Sequence, residues 1–103
     1  MNKKIDANTW VYVLIQNPGG NEQIVGQHDK ESDTSFIPAF LGKEAAEQGV
    51  MFMPREKGHK YEIQAIIYED LSRFALENKF LVFILDKDGK VKEKLAPEAI
   101  SGS

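Results

Sequence analysis

Phe80-Leu81-Val82-Phe83-Ile84-Leu85 is the stretch that decides the fold, because it is an apolar run with no polar position. Such a run is typical of a strand at the centre of a sheet that is covered on both faces. Asp86-Lys87-Asp88-Gly89 follows and predicts a hairpin turn in which Gly89 supplies a positive φ. The lysine-rich segment 90–95 then predicts a strand at an exposed sheet edge.

The segments before this stretch predict a strand and a helix. Residues 61–67 alternate at first and then become apolar, which indicates a strand. Residues 68–78 place Leu71, Phe74 and Ala75 on one helical face. This helix is therefore expected to pack on the sheet.

The first half of the chain predicts three strands and a second helix. Residues 9–16 are β-branched and aromatic, the Pro-Gly-Gly segment 17–21 is a turn, and residues 22–27 return as a second strand. Residues 35–41 form a third strand, which Pro38 places at an edge or ends early. Residues 43–53 favour a helix, although Gly49 also allows the helix to end there and leaves residues 50–53 extended.

The predicted fold is therefore α+β, with the order β-β-β-α-β-α-β-β. We expect a single mostly antiparallel or mixed sheet of about five or six strands with two short helices. Residues 9–95 form one domain, preceded by a flexible leader (1–8) and followed by a tail (96–103). A chain of 103 residues is the usual length of a single domain.

Composition excludes several classes of function. The formal net charge of -3 argues against general affinity for nucleic acid or anionic membranes. The absence of cysteine excludes disulfides, thiolate metal sites and cysteine nucleophiles. The start of the chain lacks the apolar run of a signal peptide, and no run approaches the length of a membrane helix. We expect a cytoplasmic protein without a membrane partner.

Arg55, Lys57, His59 and Lys60 form the one local excess of positive charge. Such a loop could bind a phosphate, an acidic peptide or a nucleic-acid backbone. A solvated loop explains the same residues, because local charge alone has poor specificity.

No cofactor or metal is predicted. The acidic loop that begins at Asp29 lacks the glycine and glutamate that a calcium loop needs at its sixth and twelfth positions. The Asp86–Gly89 segment is better explained as turn chemistry. His28 and His59 lie in predicted loops without an evident orienting partner, so no catalytic constellation is predicted.

The segment Ser35-Phe36-Ile37-Pro38-Ala39-Phe40-Leu41-Gly42-Lys43-Glu44-Ala45-Ala46 resembles the proline- and phenylalanine-containing strand and following helix of SseB-like bacterial domains. The resemblance covers about a third of the chain. It implies a small α+β module without known catalytic residues that takes part in protein association, and no site residue is carried over.

These observations predict a non-enzymatic interaction or regulatory module that binds a protein, or a second copy of itself through a sheet edge. A first alternative is a small enzyme or ligand-binding protein whose site forms where His28, His59, Arg55 and the 17–20 loop converge. A second alternative is nucleic-acid binding through residues 55–60, which the net charge disfavours.

Overall fold

The computed structural model describes residues 5–54 and 56–96. The helices and strands follow one another as β1 Trp10–Gln16, β2 Gln23–Ile24, β3 Gln27–Asp29, β4 Thr34–Ala39, α1 Lys43–Gly49, β5 Tyr61–Ile67, α2 Tyr68–Asn78, β6 Leu81–Leu85 and β7 Val91–Leu95. The α+β class with two helices is confirmed. Residues 1–4 of the predicted leader and 97–103 of the predicted tail lie outside the described residues.

The prediction of a single sheet is wrong, because the strands form a three-stranded sheet, β2-β1-β5, and a four-stranded sheet, β3-β4-β6-β7. Only β4 and β6 pair in parallel, and the other pairs are antiparallel. The two sheets meet where the backbones of Tyr12 and Phe40 exchange hydrogen bonds of 2.8 and 2.9 Å. Beyond this bridge, β1 and β4 pair with different neighbours.

The segment predicted as one strand over 22–27 changes partner at Gly26. β2 pairs with β1, and β3 pairs with β4, so the segment contributes to both sheets. A Cβ atom at Gly26 would lie 2.8 Å from Cε1 of Phe80, which is closer than real Cβ contacts. Glycine is therefore favoured here by the close approach of the Phe80 ring, and not by its φ angle.

Of the two outcomes predicted for Pro38, the edge position is wrong, because β4 lies between β3 and β6, and the early end is confirmed, because β4 ends at Ala39. Phe40 directs its N–H and C=O towards β1. The direction of the backbone N–H and C=O groups alternates along a strand, so the backbone nitrogen of Pro38 is directed to the same side as that of Phe40. On that side Pro38 lies between Phe36, the last residue of β4 that pairs with β3, and Phe40, which pairs with Tyr12. The missing N–H of Pro38 therefore removes no hydrogen bond from the β4–β6 pair.

Of the two endings predicted for the helix that begins at 43, the one at Gly49 is confirmed, although only Met53 of the segment 50–53 is extended. α1 ends at Gly49, one turn of 3-10 helix covers Val50–Phe52, and Met53 is extended (φ -97°, ψ 143°). A Cβ at Gly49 would overlap the Phe40 ring, so this glycine permits helix and sheet to approach closely.

The sheets bury an apolar surface on each face. Under α2 lie Val11, Val13, Ile15, Ile37, Ala39, Val82 and Ile84. Under α1 and the 3-10 turn lie Leu14, Phe36, Phe40, Phe83 and Leu85. The expected central position of the 80–85 stretch is confirmed, since β6 contributes to both cores. No helix in the described parts of the chain is long and apolar enough to cross a bilayer.

The residues before β1 complete the start of α2. The N–H of Tyr68 donates to the carbonyl of Thr9 (2.7 Å), and the N–H of Glu69 donates to that of Ala7 (3.0 Å). These bonds satisfy donors that the first turn of a helix leaves free. Ile5 packs against the core beneath α2.

Candidate functional site

The predicted basic loop precedes β5, and its members have different surroundings. Arg55 lies outside the described residues. Lys57 and His59 border a shallow depression of about 410 Å³ together with Glu56, whereas Lys60 does not line it. The carboxylate of Glu56 lies 3.4 Å from Nε2 of His59. An acid of the protein itself therefore contacts the ring nitrogen that a bound anion would use.

His59 is held against the end of β1. Its Nδ1 lies 3.4 Å from Nε2 of Gln16 and 3.3 Å from Oδ1 of Asn17. The N–H of Asn17 donates to the carbonyl of Lys60 (2.7 Å), which fixes the two loops side by side. The 17–20 loop and the 55–60 loop are thus brought together, as the ligand-binding alternative requires.

His28 forms a serine–histidine–aspartate trio on the β3–β4 hairpin. Its Nε2 lies 3.1 Å from Oδ1 of Asp33, and its Nδ1 lies 3.3 Å from Oγ of Ser35. The side chain of Asp33 is 94% exposed. Acyl transfer by such a trio needs a buried acid and an oxyanion hole, so these contacts are explained as closure of the hairpin.

A cleft of about 390 Å³ lies between the β2–β3 segment and the loop before β5. It is lined by Gln16, Val25, Gly26, Gln27, His28, Pro54, Glu56 and Tyr61. His59 contacts two of these residues, Gln16 and Glu56. His28 therefore lines this cleft, whereas His59 lines the neighbouring depression, and the two sites share Glu56 and Tyr61.

Gln27 carries an unpaired polar group in the wall of this cleft. Its Nε2 atom is buried and has no hydrogen-bond partner within the described parts of the chain. A buried donor without an acceptor costs about 1–3 kcal/mol, so such groups are uncommon in folded proteins. The cleft is thus lined by a residue whose buried amide donor has no acceptor among the described residues.

The acidic segments that resemble metal loops are used in turns. Asp29 accepts from the N–H of Glu31 (3.2 Å) and the hydroxyl of Ser32 (2.8 Å). Asp86 accepts from the N–H of Lys90 (3.0 Å), and this hydrogen bond is the main cause of its lowered pKa. The predicted turn is confirmed, with Gly89 at φ 78°. Across residues 5–54 and 56–96, no cluster of three His, Asp or Glu side chains could hold a metal ion.

The outer side of β5 is an open sheet edge. The N–H of Asn17 donates to the carbonyl of Lys60, so these two residues form a hydrogen-bonded pair of the β1–β5 ladder. Because hydrogen-bonded pairs alternate along an antiparallel ladder, Glu62 and Gln64 are hydrogen-bonded to β1 as well. Tyr61, Ile63 and Ala65 therefore direct their N–H and C=O groups away from β1. Among the described residues, these groups have no hydrogen-bond partner.

The other edges of the sheets are protected. β2 and β3 span two and three residues. β7 carries Lys92 and Lys94 and is bulged where it passes Ile84. Short strands, lysines and bulges all discourage further pairing. β5 has none of these features, since it pairs without a break over seven residues and contains neither lysine nor proline.

A large aromatic residue lies beside this open edge. Trp10, which pairs with the last residue of β5, is 57% exposed. Ala65 on the same face is also exposed. Exposed tryptophan is enriched at protein interfaces, because its ring buries a large area with little loss of side-chain entropy.

Comparison of the chain with protein-family models, curated proteins and solved structures gave no match. The resemblance to SseB-like domains therefore stays a prediction.

The sequence analysis missed the β5 edge, although its signal was present. The segment 61–67 differs from 90–95 in having no lysine, and that difference distinguishes an unprotected edge from a protected one. Sequence patterning does not give strand order, so the segment could equally have been an inner strand.

Proposed function

We propose that the protein is a non-enzymatic interaction module that accepts an extended strand at the open edge of β5. The observation that carries this proposal is the row of unpaired N–H and C=O groups on Tyr61, Ile63 and Ala65. An added strand pairs with such groups directly, as in other cases of recognition by β-strand addition. The implied use of SseB-like domains in protein association agrees with it.

The neighbouring side chains favour a partner with apolar residues. Ile63 is only half-buried, Ala65 is exposed, and Trp10 stands beside them. Glu62 supplies the single charge within the strand. A partner strand that places apolar side chains on the Trp10 face and a polar or basic one opposite Glu62 would therefore fit best.

An array of immobilised octapeptides with alternating apolar and polar residues tests the proposal. The wild-type protein is expected to bind a subset of them. Ala65→Pro removes an N–H that the fold does not use, so it should abolish binding while leaving the circular dichroism spectrum unchanged. Ala65→Ser is the matched control and should bind as the wild type does.

A second edge variant keeps the proposal testable if the Ala65→Pro variant does not fold. Ala65→Lys keeps the backbone intact and places a charge typical of blocked edges on an exposed position. It should reduce octapeptide binding at least tenfold. Binding that is unaffected by both variants, or no binding to any octapeptide, would contradict the proposal.

A second candidate function is binding of a small carbonyl compound in the cleft, which the buried unpaired Nε2 of Gln27 favours. Chemical shifts of the Gln27 side-chain amide would be followed by NMR during titration with acetate or N-acetylglycinamide. Saturable shifts of this side-chain amide would support it. No shift at tens of millimolar ligand would contradict it.

A further inference from the structure

We infer that the strand added to β5 is the β5 strand of a second copy of this chain, antiparallel and related by a two-fold axis at Ile63. This inference rests on the proposed function, which supplies the open edge, and it adds the partner and the register. A two-fold interface places the same surface of both copies in contact, which is the commonest form of protein dimer.

Backbone geometry limits the registers that are possible. Two antiparallel edges form hydrogen bonds when outward-facing residues lie opposite one another, and each such pair exchanges both N–H···O bonds. With the axis at Ile63, Ile63 faces its own copy and Tyr61 faces Ala65. This register uses every outward N–H and C=O group of Tyr61, Ile63 and Ala65 on both copies.

Shifting the axis to Glu62 loses some of these bonds, whereas shifting it to Gln64 keeps Tyr61, Ile63 and Ala65 opposite residues of the strand. With the axis at Glu62, Ala65 faces His59, which lies beyond the end of the strand. With the axis at Gln64, Tyr61 faces Ile67, which still belongs to the strand, and Ile63 faces Ala65. The backbone therefore favours Ile63 over Glu62, and the choice between Ile63 and Gln64 rests on the side chains.

Side-chain pairing selects the same axis. At Ile63, Glu62 lies opposite Gln64 of the second copy, and an amide can donate to a carboxylate. These two side chains already make such a contact within one strand, at 3.4 Å. An axis at Glu62 would place two carboxylates opposite each other, and one at Gln64 would place Glu62 opposite Ile66. Like charges directly opposite are destabilising, whereas unlike polar pairs stabilise a sheet.

The other long edge does not allow self-pairing in the same way. A two-fold axis at Glu93 of β7 would place Glu93 opposite Glu93 and Lys92 opposite Lys94. An axis at either lysine would place two ammonium groups opposite each other. Charge repulsion therefore leaves β5 as the edge on which a second copy fits.

The chain has no native cysteine, so disulfide cross-linking can determine the register directly. In the proposed dimer, residues 62 and 64 form a non-hydrogen-bonded pair, whose Cα atoms lie close enough for a disulfide. A mixture of Glu62→Cys and Gln64→Cys chains should give a mixed disulfide at least tenfold more abundant than either symmetric one. Adding Ala65→Pro to both chains should remove it.

Sedimentation equilibrium of the wild-type chain over a concentration series gives an independent readout. We expect a monomer–dimer equilibrium that Ala65→Pro shifts to monomer and Ala65→Ser leaves unchanged. The axis at Ile63 would be refuted if the predominant disulfide joined two Glu62→Cys chains or two Gln64→Cys chains. A wild-type chain that stays monomeric at millimolar concentration but still binds octapeptides would refute self-pairing alone and leave the proposed function standing.

Discussion

Gly49→Ala is expected to destabilise the fold, although alanine is the better helix former. The added Cβ would overlap Cε2 of Phe40 and lie 2.8 Å from its Cζ and 3.0 Å from the carbonyl oxygen of Asp86. Ordinary contacts of a Cβ begin at 3.4 Å. Phe40 is 1% exposed at the centre of its core, so its ring has no free space into which to move.

The size of the effect follows from two opposing contributions. Replacing glycine by alanine within a helix gains at most about 1 kcal/mol. Overpacking a close-packed core costs about 1–3 kcal/mol, and contact with both a ring and a backbone oxygen places this site at the upper end. We expect a net loss of about 2 kcal/mol, which would lower Tm by roughly 8–16 °C in a domain of this size.

Urea denaturation followed by tryptophan fluorescence measures this loss. Gly20→Ala is the control, because the nearest atom to its Cβ, the carbonyl oxygen of Asn17, lies at 3.7 Å. In a Phe40→Leu background the clash is removed, so Gly49→Ala should cost at least 1 kcal/mol less there. An unchanged midpoint for Gly49→Ala, or an equal loss in both backgrounds, would refute the proposed clash.

Three further changes test other parts of the structure. Gln27→Met removes the unpaired buried donor and should raise the free energy of unfolding by about 1 kcal/mol; a lower value would show that the amide has a partner. Asp86→Asn should lower the urea midpoint at neutral pH and leave it unchanged at strongly acidic pH. The reason is that the lowered pKa of Asp86 gives stability above its unfolded pKa, which is lost as pH falls through the folded value. Gly26→Ala should cost about 1 kcal/mol by urea denaturation, less than Gly49→Ala, because the half-buried Phe80 ring can shift.

The cleft and the β5 edge differ in how much the sequence could reveal of them. His28 and His59 were recognisable as polar loop residues, but their placement in two neighbouring depressions depends on contacts between segments far apart along the chain, such as Gln16 with His59. Gln27 carried no signal, because its unpaired amide results from the packing around it. For β5, composition indicated an unprotected strand, and the strand order decided that it lies at an edge.

Local rules determined the elements of this fold. The apolar run of β6, the Asp86–Gly89 turn and the amphipathic face of α2 each depend on residues that are neighbours along the chain. Their turn geometry and hydrophobic periodicity are set within a few residues, so the sequence alone predicted these elements.

Long-range pairing determined the remainder. The β2–β3 segment passes from one sheet to the other at Gly26, where the ring of Phe80 approaches the backbone. Pro38 is accommodated in an inner strand because its missing N–H faces a gap between neighbours. The order of the strands and the set of unpaired backbone groups depend on how segments distant along the chain pack against one another. Only the tertiary structure therefore decides them.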